Sequence, residues 1–146
     1  MVWLGKIIIA VVIISALLFA GMCLYYVYIV NPNVTAELRA EPTGERAKHV
    51  MLLTLPTGNT IPVNYLKKET VIYVGADGRW WRAFRGAGNN VELFLQGTQL
   101  QGHAVAITND RQYRDDIFAK LRPTVPTWLP EWMKGVLIEI TIEEAS

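Results

Sequence analysis

The residues best suited to chemistry lie in one run, Gly75-Ala76-Asp77-Gly78-Arg79-Trp80-Trp81-Arg82-Ala83-Phe84-Arg85-Gly86. Arg79, Arg82 and Arg85 set fork-shaped cations beside the flat faces of Trp80 and Trp81, which suits a phosphate- or carboxylate-bearing ligand with a planar ring system. If the run is helical, Arg82 and Arg85 share a face and Trp81 neighbours Arg85. The same residues have a plainer use. Tryptophans can plug the end of a barrel, and arginines around them can solvate it or meet anionic lipid headgroups.

Other chemistries find little support. The single cysteine, Cys23, lies in an apolar block, so no intrachain disulfide forms, and one Cys with His49 and His103 does not make a usual zinc set. No metal site is expected. No Gly-x-Ser-x-Gly, Walker or Gly-x-Gly-x-x-Gly motif is present. Asp115 and Asp116 are adjacent on a predicted helix, point in different directions, and read as a solvated face. His49 and His103 read as structural, with an axial haem ligand as the alternative.

These side chains must be positioned by a chain of 146 residues that divides into an apolar front and a polar remainder. Ile7 to Val30 carries no formal charge over 24 residues. As a helix it reaches roughly 36 Å, enough to cross a hydrocarbon core of about 30 Å. Trp3 stands at one end, Tyr25, Tyr26 and Tyr28 at the other, and Asn31-Pro32 predicts a helix stop. A cleaved signal peptide would have a shorter core ending in small residues, so residues 1–30 read as a retained transmembrane anchor. Phe19-Ala20-Gly21-Met22-Cys23 looks only loosely like a lipoprotein box, because Met22 holds the small-residue position. Lys6 on one side against Arg39, Arg46 and Lys48 on the other predicts an inner (cytoplasmic) membrane protein with its domain in the cytoplasm.

Beyond the anchor, basic and acidic residues balance at 13 each. A neutral domain has no phosphate-seeking field, which argues against nucleic acid as a partner. Residues 31–48 are polar and read as a linker, and residues 49–146 as one domain. Apolar runs His49 to Leu55, Ile61 to Leu66, Val71 to Val74, Val91 to Leu95, Leu100 to Thr108 and Val136 to Ile142 are separated by Gly, Pro and Asn turns. Asp110 predicts the cap of a helix Arg111 to Leu121, with Tyr113, Ile117, Phe118 and Leu121 on its core face. Prolines 123, 126 and 130 carry an extended connection through Trp128 and Trp132. The expected fold is mainly β (α+β), a barrel of about six antiparallel strands with one or two short helices behind a transmembrane helix.

In order along the chain, Leu52-Leu53-Thr54, Thr57-Gly58-Asn59-Thr60-Ile61-Pro62-Val63, Val71-Ile72-Tyr73-Val74-Gly75, Trp80-Trp81-Arg82 and Val91-Glu92-Leu93 resemble the deazaflavin-dependent nitroreductase family. The resemblance implies a flavin-binding split β-barrel that binds F420 or FMN and passes hydride to a quinone or nitroaromatic-like acceptor. It implies that Thr57, Gly58, Asn59 and Thr60 approach the cofactor's phosphate tail, that Gly75 and Ala76 lie near its ring, and that Trp81 and Arg82 belong to the Trp-containing segment. Asn59 stands where the family has a basic turn, so an anionic tail would depend on Arg79, Arg82 and Arg85, or the cofactor would be the shorter FMN. Trp80 or Trp81 would pack near the ring, and Tyr73 would donate a proton or hydrogen bond.

Two functions follow. One is a membrane-anchored flavin- or deazaflavin-binding oxidoreductase using a quinone from the bilayer. The other is a non-catalytic split-barrel accessory subunit of a membrane protein complex, with Trp128 and Trp132 as its contact surface. A homodimer is the expectation from fold analogy.

Overall fold

The computed structural model describes residues 1–143, which form two compact units, Met1–Ala36 and the part from Glu37 onward. In the first unit, α1 (Val2–Tyr25) has no buried residue and is apolar on every side, the pattern of a helix made for lipid rather than for one wet face. The helix does not stop at Asn31-Pro32. A π-helical turn (Tyr26–Val30) joins α1 to α2 (Asn31–Ala40), giving one helix, Val2–Ala40, long and apolar enough to cross a membrane. The widened turn accounts for the missed stop. Pro32 has no N–H and its ring crowds the carbonyl four residues back, so the chain loosens there, with the Asn31 N–H bonding the Tyr26 carbonyl five residues back.

In the second unit six strands close into an antiparallel barrel in the order β1-β2-β3-β6-β5-β4. They are β1 (Val50–Thr54), β2 (Thr60–Lys68), β3 (Val71–Ala76), β4 (Asn89–Leu95), β5 (Thr98–Ile107) and β6 (Val136–Ile142). Alternation along the strands sends Met51 and Leu53, Ile72 and Val74, Val91 and Leu93, Ala104 and Ala106, and Ile138 and Ile140 into one shared core. Closure leaves no unpaired strand edge. Gly102 is where the barrel tolerates no side chain. A Cβ there would press on the Thr141 carbonyl at 2.8 Å.

α3 (Arg111–Leu121) lies outside the barrel, and the Asp110 side chain caps it by accepting from the Tyr113 N–H at 2.9 Å. The face expected from the sequence is the one buried. Tyr113, Ile117, Phe118 and Leu121 pack with Tyr73 and Leu137, which point outward from β3 and β6.

Because neighbouring strands are antiparallel, the connections sort to two ends. At the lower end, where β1 begins, the β2–β3 and β4–β5 turns are tight, with Glu69, Gln96 and Gly97 at positive φ. The stretch expected to be a free linker is folded on this end from Glu37 onward: Leu38 and Ala47 are buried, the turn Arg46–Lys48 packs on β1, and Pro42 sits against Gly97. The upper end collects the β1–β2 turn, the long β3–β4 connection and the segments flanking α3.

Candidate functional site

The β3–β4 connection begins beside β6, because Ala76 pairs with Val136 and leaves Asp77 next to Gly135. Gly78 then leads into a tight helical turn, Arg79–Phe84. Its spacing turns the three aromatic residues inward. Phe84 is fully buried in the barrel core, Trp80 meets it edge to face at 6.1 Å, and Trp81 packs on the same core. Arg79, Arg82 and Arg85 face solvent, and none of the ion pairs among the described residues uses them. The guanidinium of Arg85 lies 5.0 Å from the Trp81 ring centre, so the expected Trp81–Arg85 contact is present, although Arg85 itself is extended rather than helical.

The other expected cofactor residues sit differently. Thr57, Gly58 and Asn59 form the exposed β1–β2 turn, with Gly58 at φ +91, and Thr60 opens β2 with its hydroxyl 3.0 Å from that of Thr54. Gly58 lines a groove of about 320 Å³ on the outer wall, together with Thr54, Asn90, Gln101 and the carboxylates Glu92 and Glu143. That surface is anionic where a phosphate tail needs cations. Gly75 is covered, since a Cβ there would strike the Arg122 guanidinium, and Ala76 is turned into the core. Thus Thr57 to Thr60, Gly75, Ala76, Trp80, Trp81, Arg82 and Arg85 share the upper end but do not form one cradle. As arranged they do not fit F420 or FMN, so no chemistry is derived through either.

Tyr73 lies away from this end, under α3. The Tyr113 hydroxyl donates to Glu139 Oε2 at 2.7 Å and faces the Tyr73 hydroxyl oxygen at 3.0 Å. Burial first, then these two neighbours, push the Tyr113 phenol well above its ordinary pKa. This chain of polar atoms docks the helix. His103 is also spoken for: Nδ1 is 2.9 Å from Asn90 Oδ1 and Nε2 is 2.6 Å from the Ala87 carbonyl, so neither nitrogen is free for iron. His49 is exposed beside β1.

Sequence reasoning missed a second cluster on this end. Arg122, at the end of α3, grips Asp77 through two bonds of 2.7 and 3.0 Å and lies 5.0 Å from the Phe118 ring centre. Glu131 accepts from Arg114 at 2.9 Å and meets Lys134 at 3.1 Å and Arg111 at 3.9 Å, and the first two, Arg114 foremost, hold its carboxyl below the usual range. Asp115, expected on a solvated face, is instead bonded through Oδ1 to Arg114 at 2.8 Å. The sequence signal was the density of opposite charges at 111–116 and 131–134, which spacing alone does not pair. Beside these pairs, the connection from Pro123 to Gly135 presents two large rings to solvent: Trp128 is 78% exposed and Trp132 83%. No family model matches the chain, and no curated protein matches it.

Proposed function

We propose that the chain is a non-catalytic accessory subunit of a membrane protein complex, held in the bilayer by its N-terminal helix and binding a protein partner through the upper end of the barrel. The observation that carries this reading is the surface of that end. Trp128, Trp132, Arg79, Arg82 and Arg85 are all exposed there, and Trp and Arg are the residue types that dominate binding energy at protein interfaces. The inward side of the same end is filled by Phe84 and the two core tryptophans, which favours contact over catalysis. In this reading the barrel lies on the cytoplasmic side of the inner membrane, an orientation supported by Lys6 on one side against Arg39, Arg46 and Lys48 on the other.

A second reading, a flavin- or deazaflavin-binding oxidoreductase with a quinone acceptor, is favoured by one observation. Arg79, Arg82 and Arg85 pair with no carboxylate among the described residues, and Arg85 lies over the Trp81 ring in a six-stranded barrel. One experiment separates the two: titration of FMN and of F420 into the detergent-purified chain and into Arg82→Ala/Arg85→Ala. The accessory reading expects no saturable binding of either. Saturable binding that the double substitution abolishes overturns it in favour of the oxidoreductase.

A further inference from the structure

Beside the exposed tryptophans lies a groove of about 200 Å³ between the second half of α3 and the proline-rich connection. Phe118, Ala119, Pro123, Val125 and Pro126 give it an apolar floor and walls, and Asp115, Arg122 and Lys134 stand on its rim. The polar groups have unspent capacity. Both bonds from Arg114 to Asp115 end on Oδ1, while among the described residues Oδ2 meets only Lys134 at 3.7 Å, beyond hydrogen-bond reach, so Oδ2 can accept. An apolar slot with one free acceptor and two cations at its edge matches an indole: ring against the walls, N–H to the carboxylate, cations toward the π face.

The chain displays such a ring next to the slot without filling it. Trp132 is carried on the short turn Glu131–Met133, which Arg114 and Lys134 pin through Glu131, and it points into solvent. A surface that carries a knob and its matching hole side by side is self-complementary, which is the condition for a two-fold contact in which each copy gives and receives the same group. We propose that Trp132 of one copy seats in the α3 groove of a second copy, and that the reciprocal pair forms a homodimer. This rests on the reading of the upper end as a contact surface and names one of its partners. Four tryptophans at roughly 150–250 Å² each, with the walls they meet, reach the roughly 1,200 Å² at which specific interfaces begin. Anchoring both copies in one membrane raises their effective concentration.

The test is photo-crosslinking in membranes with p-benzoylphenylalanine in place of Trp132, which keeps an aromatic knob. An isotope-labelled, differently tagged second copy of the full chain is co-expressed with it. The expected result is a covalent dimer whose link maps to residues 115–127 of the labelled copy, with none from the same probe at Glu69 on the lower end. Trp132→Ala, at an exposed position, is expected to weaken dimer association by about tenfold or more. A chain that stays monomeric, or a dimer linked elsewhere, overturns the proposal. A probe at 132 that links only to a different protein also overturns it, yet leaves the accessory reading standing. Saturable FMN or F420 binding in the titration above removes that reading while the mapped dimer, if present, survives.

Discussion

The two ends of the barrel are closed by different means. At the lower end the connections are tight turns, and the segment before β1 folds over them: the Tyr65 hydroxyl donates to the Ala47 carbonyl at 2.9 Å and accepts from Gln96 at 3.0 Å. Closure there combines these side-chain hydrogen bonds with the buried Leu38 and Ala47. At the upper end the β3–β4 and β5–β6 connections are long and the seal is apolar, with Phe84 inserted like a stopper under Trp80 and Trp81. A stopper that turns its rings inward must turn its alternate residues outward, and here those are arginines. The upper end is thus both the better plugged and the richer in groups able to bind something else, as expected where long connections sit on a rigid frame.

If the upper seal depends on Phe84, removing that ring should have the largest effect of any change considered. Phe84→Ala is expected to destabilise the barrel by about 3–5 kcal/mol, the cost of truncating a buried phenylalanine. Denaturant unfolding of the full chain in detergent, followed by far-ultraviolet circular dichroism, measures it. A loss below ~1 kcal/mol would mean that the stopper is ornamental. Next in size is Gly88→Ala, where the connection re-enters β4. Gly88 has φ +77, and an added Cβ would collide with the Ala104 carbonyl and sit 2.8 Å from Val105. Strain of this kind costs about 1–3 kcal/mol, read by the same unfolding curve.

The lower seal should respond less. Tyr65→Phe keeps the ring and removes the two hydrogen bonds, for an expected loss of about 1 kcal/mol. Its local signature is sharper than its stability cost. Amide hydrogen exchange should quicken around Ala47 and Gln96 while Arg79 to Gly88 stays unchanged. Equal quickening at both ends would dissolve the distinction between the two seals.

Which parts of this were legible in the sequence follows from the range of the interactions. Strands such as Val71 to Val74 and the capped helix after Asp110 announce themselves through period and local hydrogen bonding, and the structure has both. The stop at Pro32 was misread because a single widened turn absorbs a proline that local rules treat as a break. At the candidate site, Trp81 beside Arg85 was readable because the two are four residues apart. Arg122 with Asp77, and Glu131 with Arg114, were not, since barrel closure sets those pairs across 45 and 17 residues and charge alone does not choose among partners. Gly75 illustrates the same limit. The family resemblance implies that it lies near a cofactor ring, and a guanidinium from far along the chain covers it.

The smallest expected effect is the most specific to the upper end. Arg114 and Lys134 hold the Glu131 carboxyl below its ordinary pKa, and Asp115 shares both cations. A group whose pKa is lowered by folding stabilises the fold above its unfolded pKa, and that contribution fades as pH falls through the folded one. Acidification below the ordinary glutamate range should therefore loosen the Glu131–Met133 turn before it disturbs the core. With fluorinated tryptophan in the full chain, the Trp132 resonance should move in that acidic window while Trp80 and Trp81, packed on the barrel core, stay put. Glu131→Gln should abolish the pH-dependent movement and hold Trp132 near its acid position throughout. Were all three resonances to move together, the acid transition would be that of the whole barrel, and the loop that carries Trp132 would have no independent hinge at this carboxylate.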